Sequence, residues 1–186
     1  MLDRKVQDSL ATELEALLGK HFAGITVDVA PSARWNRPCA TFRWSGFAGL
    51  LPEERFHRLV NVIPEPFRAS RMKGLVWLEL APGETVDAYL KLPRSDEVAG
   101  REASIYAGLV QVDFFDALNA ALDPSPQQRC PGDFSSTADV LARKGFASDR
   151  IRDAKLSFIL HGAYCDCQVL LTVRHELATA YPSHTD

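Results

Sequence analysis

Gly24-Ile25-Thr26-Val27-Asp28-Val29-Ala30, followed by Pro31, is the stretch on which the fold turns. From Ile25 to Val29 apolar and polar side chains alternate, and β-branched types dominate. That two-residue period predicts a strand, which Pro31 is expected to close. Upstream, Val6, Leu10, Leu14, Leu17 and Leu18 recur at helical spacing, with Glu13, Glu15 and Lys20 on the other faces. An amphipathic helix over about residues 4–21 follows. Downstream, Cys39-Ala40-Thr41-Phe42-Arg43-Trp44 reads as a second strand, entered through Asn36-Arg37-Pro38.

Pro52-Glu53-Glu54 then opens a helix, with proline in its first turn and acids facing the positive end of the helix dipole. Phe56, Leu59, Val60 and Ile63 form its apolar stripe, and Pro64 and Pro66 start a short helix through Met72. Leu75-Val76-Trp77-Leu78-Glu79-Leu80 reads as a third strand, ended by Pro82-Gly83. The order over residues 4–82 is α-β-β-α-α-β, which predicts an α+β unit: a three-stranded sheet with helices on one face.

The polar stretch Leu92-Pro93-Arg94-Ser95-Asp96-Glu97 is the expected boundary between a first domain, 1–95, and a mainly helical module, 96–186. In that module Ile105, Leu109, Val112, Phe115, Leu118 and Leu122 make one long apolar stripe. Asp123-Pro124-Ser125-Pro126 ends it. A helix from about Ser135 to Lys144 is expected to stop at Gly145. Another, from about Ser148 to Leu160, is expected to take Ser148 as its cap. From Cys167 to Val173 the pattern fits strand and helix alike.

Composition narrows the function classes. Of 186 residues 46% are hydrophobic, enough for a packed core, and the formal net charge of −3 gives no general pull toward nucleic acid or an anionic membrane. Residues 1–95 nevertheless hold 13 Lys+Arg against 11 Asp+Glu, and residues 96–186 hold 8 against 13. An anion-binding face is therefore expected in the first half. Acidic residues arrive early in Met1-Leu2-Asp3-Arg4-Lys5-Val6-Gln7-Asp8 without an apolar run, which argues against a secretory signal. No stretch approaches the roughly 18–20 apolar residues of a membrane span. The expected location is cytoplasmic, with no membrane partner. The four cysteines, Cys39, Cys130, Cys165 and Cys167, are then expected to be reduced, and metal or redox chemistry is favoured over a structural disulfide.

Two resemblances rest on particular residues. The α-β-β-α-α-β order, with Phe47-Ala48-Gly49 after the second strand and Glu54-Arg55-Phe56-His57-Arg58-Leu59-Val60 opening the next helix, resembles the BolA-like proteins and their class-II KH-type topology. His57-Arg58 partly matches that family's histidine at a helix start. The third strand, Leu75-Val76-Trp77-Leu78, lacks the histidine of the family's Val-His-Ala-Leu-like motif, so the resemblance implies the fold and not iron–sulfur cluster sharing. The loop Ile63-Pro64-Glu65-Pro66 lacks the Gly-x-x-Gly with which KH domains clamp nucleic acid. The second resemblance covers about residues 126–173. Cys130 and the later Gly162-Ala163-Tyr164-Cys165-Asp166-Cys167-Gln168-Val169-Leu170-Leu171-Thr172-Val173 are similar to a small bacterial domain of unknown function. Its signature reads Gly-Gly-x-Cys-Asp-Cys-Glu-Val-Leu-x-Asn-Val.

Four constellations bear on chemistry. Cys130, His161, Cys165 and Cys167 are the ligand types of a tetrahedral zinc site, closed and structural because no open position with a nearby base is apparent. The competing reading packs the cysteines as small hydrophobes and leaves His161 at a helix C-terminus, where the dipole favours a cation. Cys165 and Cys167 also invite a redox reading, although Asp166 between them raises a thiol pKa rather than lowering it. Arg34, Trp35, Arg37, Arg43 and Trp44 interleave cations and aromatics on a hairpin, with Arg68, Arg71 and Lys73 as neighbours in prospect. Such mixtures serve single-stranded nucleic acid and protein hot spots alike. Glu53 and Glu54 lie three or four residues from His57, an acid–base spacing that a solvated helix start explains equally well. No Ser-His-Asp order, glycine-rich phosphate loop or His-Glu-x-x-His is found. The expected function is non-catalytic binding or adaptor work, with zinc pinning the second module and a protein as partner. The alternatives are a thiol- or metal-dependent enzyme using Cys165 and Cys167, and a single-stranded nucleic-acid binder using the hairpin.

Overall fold

The computed structural model describes residues 3–122 and 132–182. It is α+β, 60% helical with one small three-stranded sheet. Two compact units divide the chain, one up to Leu92 and one from Pro93.

In the first unit α1 (Arg4–Leu18) leads into β1 (Thr26–Ser32) and β2 (Arg37–Arg43). After a 3-10 turn, Ser45–Phe47, come α2 (Pro52–Val62), α3 (Glu65–Arg71), β3 (Val76–Leu80) and the short α4 (Val86–Tyr89). The sheet order is β1-β2-β3. β1 and β2 are antiparallel, with Val27 opposite Phe42 and Pro31 opposite Pro38. β2 and β3 are parallel, with Ala40 opposite Trp77.

Alternation along the strands sorts the core onto two faces. Val27, Val29, Ala40 and Phe42 meet Leu10, Leu14 and Leu18 of α1 and Leu59 and Ile63 at α2. A fully buried leucine of this kind is worth about 1.5–3 kcal/mol over an exposed one. On the reverse face Cys39, Leu78 and Leu80 pack with Tyr89, Trp35 and Val86. Helices on one face alone were expected. The structure adds this second cluster, because α4 supplies Tyr89 and Val86 against β3.

β1 runs through Pro31 to Ser32 rather than ending at Ala30. Proline is tolerated here because β1 is an edge strand and the missing N–H faces outward. Four residues before Pro31 on the same edge, Glu15 Oε1 accepts the Val27 N–H at 2.7 Å. On the other edge the Arg55 guanidinium donates to the Glu79 carbonyl at 2.7 Å. A side chain thus holds a ladder group on each edge of the sheet.

The second unit opens with a 3-10 segment, Ser95–Arg101, followed by α5 (Glu102–Gln111), α6 (Phe114–Ala121), α7 (Ser135–Arg143) and α8 (Ser148–Leu160). Then α9 (Asp166–Gln168), a π-helical turn Val169–Val173 and α10 (Arg174–Ala180) follow without a break. The long stripe from Ile105 to Leu122 is two helices, not one. Asp113 turns the chain between them in the left-handed region, at φ 52°. Ser148 is the first helical residue of α8. Ala147 takes the cap position, with no side-chain cap bond. The core includes Leu109, Phe114, Leu118, Leu141, Phe158, Val169 and Val173, all fully buried. Phe114 stacks on Phe158 with ring centroids 5.7 Å apart.

Candidate functional site

The segment richest in chemistry-bearing residues, His161 to Gln168, forms a corner between two helices. α8 ends at His161, and Gly162 takes φ 76°. The Ala163 N–H donates to the Phe158 carbonyl at 3.0 Å, and the Gly162 N–H to that of Ile159 at 2.8 Å. This pair of bonds closes a helix end, and it requires the left-handed conformation that glycine adopts freely. Ala163 is fully buried. Past it, Tyr164 N–H donates to Gln168 Oε1 at 2.7 Å, and Cys165 is the extended cap of the next helix.

Asp166 carries the corner. It is fully buried, and its carboxylate accepts the Ser136 N–H at 2.9 Å and the Thr137 N–H at 2.8 Å. Those are first-turn amides of α7, which have no partner within their own helix. Asp133 accepts the Ser135 N–H at 3.0 Å through its side chain, and its carbonyl takes the Asp166 N–H at 2.9 Å. Two aspartates thus hold three amides at the positive end of α7. The acid between the two cysteines is an N-cap supplied from some thirty residues along the chain.

His161 faces two carboxylates: Nε2 lies 3.0 Å from Glu102 Oε1 and Nδ1 lies 2.8 Å from Glu176 Oε2. Glu102 Oε1 also accepts the Ser157 hydroxyl at 2.9 Å. The imidazole thereby ties the starts of α5 and α10 to the end of α8. Ser157 is fully buried and donates to Glu102 rather than to His161, so the three residues do not form a nucleophile–base pair. Cys165 and Cys167 are half-buried on either side of Asp166. Cys130 lies outside the described residues. Among the described residues no three His, Cys, Asp or Glu side chains form a group that could hold a metal ion.

The five hairpin residues do not share one surface. Arg34 pairs with Asp87 at 2.6 Å and lies over the Trp35 ring, 5.7 Å from its centroid. Trp35 packs into the reverse-face cluster. Arg43 and Trp44 sit at the other end of β2, roughly 20 Å away at strand rise. There Arg43 donates to the Glu84 carbonyl at 3.2 Å. Trp44 packs between Phe22 and Phe47 and gives its indole N–H to the Ala23 carbonyl at 3.2 Å. Arg68 and Arg71 pair with Glu65 and Glu13. What remains at the closed end of the hairpin is Arg37, exposed and with no hydrogen-bond or ion-pair partner among the described residues. It lines a concave pocket of about 250 Å³ together with Gln7, Pro31, Ser32, Asn36 and Pro38.

Glu54 accepts the Leu51 N–H at 2.9 Å and so caps α2, while His57 meets Asn61 at 3.2 Å. Burial pushes the His57 imidazole below its ordinary pKa. Two residues before His57, Arg55 is almost fully buried. It donates to the Leu50 and Glu79 carbonyls and to both oxygens of Glu84. Burial alone would raise the Glu84 pKa. The Arg55 hydrogen bond, the Ala81 N–H and the charges of Arg55 and Arg43 together hold it below the ordinary carboxylate value.

Sequence reasoning missed the partners of Asp166 and His161. Asp133-x-Ser135 at a helix start was a legible capping signal. Glu102 and Glu176 carried none.

The class defined so far is an α+β protein of two units, one built on a three-stranded sheet and one helical. No family model matches the chain, and neither a curated protein nor a solved structure is significantly similar to it. No helix among the described residues is long and apolar enough to cross a membrane.

Proposed function

We propose that this chain is a non-catalytic binding protein whose first unit recognises a protein partner through the closed end of the β1–β2 hairpin. The observation that carries the reading is Arg37: an exposed cation, without a partner among the described residues, on the wall of a pocket. Beside it in sequence stand Arg34 and Trp35, in cation–π distance of each other. Arginine and tryptophan are residue types that dominate protein interfaces, and Arg37 lines the concave surface. Against them, Asp166 is spent on a helix end and His161 on hydrogen bonds to Glu102 and Glu176, which leaves the cysteine motif an architectural part. A single-stranded nucleic-acid binder would need several exposed rings in line with its cations. Trp44 packs in the core and Trp35 in the reverse-face cluster, so the protein partner is the better-supported reading.

The test is quantitative capture from cell extract, with the full chain as bait. Arg37→Glu is expected to reduce the captured partner at least tenfold. Lys20→Glu, past the far end of α1, is expected to leave it unchanged. Equal capture by all three proteins would refute the reading. Arg37-dependent binding of a labelled single-stranded oligonucleotide, with a steep salt slope, would replace the protein partner with nucleic acid.

A further inference from the structure

The pocket at the hairpin end has a chemistry of its own, and the ligand assigned to it here rests on the reading of that end as a recognition face. Pro31 and Pro38 are directly opposite each other across β1 and β2. By strand alternation they share the face of Val29 and Ala40, the side on which α1 packs. Gln7 sits in the second turn of α1 and is the helix residue that reaches the pocket. Pro31 is exposed and Pro38 half-buried, and their two pyrrolidine rings form an apolar wall. Directly opposed residues on one face stand about 4.5–5.5 Å apart at Cβ, so the paired rings make a flat patch of roughly one aromatic ring's width. Proline has no N–H, and the donors around the wall come from elsewhere: the Ser32 hydroxyl, the Asn36 amide and the Arg37 guanidinium. Among the described residues that line the pocket, Arg37 is the one that carries a charge, and none is a carboxylate.

Flat apolar wall, one cation and a rim of neutral donors suit a single type of ligand. We propose that this pocket binds a carboxylate carried next to an apolar ring, the guanidinium taking the carboxylate in its planar fork and the prolines taking the ring. At about 250 Å³ the pocket is below the roughly 300–1,000 Å³ of sites for drug-sized molecules. One ring-bearing residue or acid fills it. The C-terminus of a peptide ending in an aromatic residue and a free arylacetic acid share this chemistry.

The experiment titrates the full chain with phenylacetate, with the tripeptide Ala-Ala-Phe and with its C-terminal amide, followed by backbone amide shifts. The expected result is saturable movement of the amides of Gln7, Ser32, Asn36 and Arg37 with the tripeptide acid, and at least tenfold weaker binding of the amide. Arg37→Gln is expected to weaken the acid by about tenfold, the scale of one charged hydrogen bond. Tighter binding of the tripeptide than of phenylacetate assigns the site to a peptide terminus, and equal binding assigns it to a small acid. If neither acid binds, or the amide binds as well as the acid, the ligand assignment is overturned. Partner capture that still depends on Arg37 would then leave the recognition face standing, so the two failures are distinct.

Discussion

Replacing Asp166 with alanine removes the carboxylate that holds the first turn of α7. Two backbone amides, those of half-buried Ser136 and fully buried Thr137, lose acceptors at 2.9 and 2.8 Å. An unmet buried donor costs about 1–3 kcal/mol, and the loss of an N-cap by itself costs about 0.5–2 kcal/mol. Together these put Asp166→Ala at about 1.5–5 kcal/mol, a large share of the 5–15 kcal/mol that stabilises an ordinary domain. In a domain of roughly 100 residues, each kcal/mol lowers Tm by about 4–8 °C, so the second unit is expected to melt about 6–40 °C earlier. Asp166→Asn keeps one acceptor and loses the charge facing the helix dipole, and is expected to cost about half as much. Calorimetry reads the melting. Amide hydrogen exchange reads the mechanism, since Ser136 and Thr137 are expected to lose protection ahead of the middle of α7. A Tm within about 3 °C of wild type, with both amides still protected, would refute the capping role and reopen a chemical role for the acid between the cysteines.

Other expectations follow from the same geometry. Arg55→Met takes the guanidinium from two carbonyls and from the Glu84 carboxylate, which keeps the Ala81 N–H, and is expected to cost about 3–5 kcal/mol, as breaking a buried pair does; urea unfolding measures it. Because the folded pKa of Glu84 lies below its unfolded value, its contribution is full above the unfolded pKa and is lost as pH falls through the folded one. Glu84→Gln is therefore expected to flatten the acid limb of the stability curve below about pH 4.5. Asp113→Gly removes the side chain from a left-handed position and is expected to raise stability by up to about 1 kcal/mol, read as a Tm shift of a few degrees. Burial raises the Cys39 pKa, with the Glu79 and Asp28 charges adding to it against the Thr41 hydrogen bond. Iodoacetamide at pH 8 is thus expected to modify Cys39 at a rate set by unfolding, which peptide mass spectrometry follows.

Period alone located all three strands and most helices, because each element buries one face and the spacing of its apolar residues records which. It failed where the chain turns without changing composition. The stripe from Ile105 to Leu122 keeps its helical spacing across Val112 and Asp113, and only the left-handed backbone at Asp113 separates α5 from α6. Pro31 misled for the opposite reason: it breaks a ladder only where its N–H would have faced a neighbour, and on an edge strand it does not. From Cys167 to Val173 the β-branched residues resisted assignment. The segment is helical through a π turn because Val169 and Val173 are fully buried in the second unit. The candidate site was legible only in part. Arg34, Trp35 and Arg37 were picked out by type, but Arg43 and Trp44 sit at the other end of the strand. The pocket wall is made by Pro31 and Pro38, which period analysis counts only as breakers. The partners of Asp166 lie 29 and 30 residues away, a distance at which spacing carries no signal.

The proposed division, with recognition in the hairpin and architecture in the cysteine motif, is put to the test by measuring partner capture for Arg37→Glu beside the double variant Cys165→Ala, Cys167→Ala, both checked for native melting. Capture is expected to fall at least tenfold for the first and to stay within twofold of wild type for the second. Capture that survives Arg37→Glu and disappears with the cysteines would contradict it and place the function in the second unit.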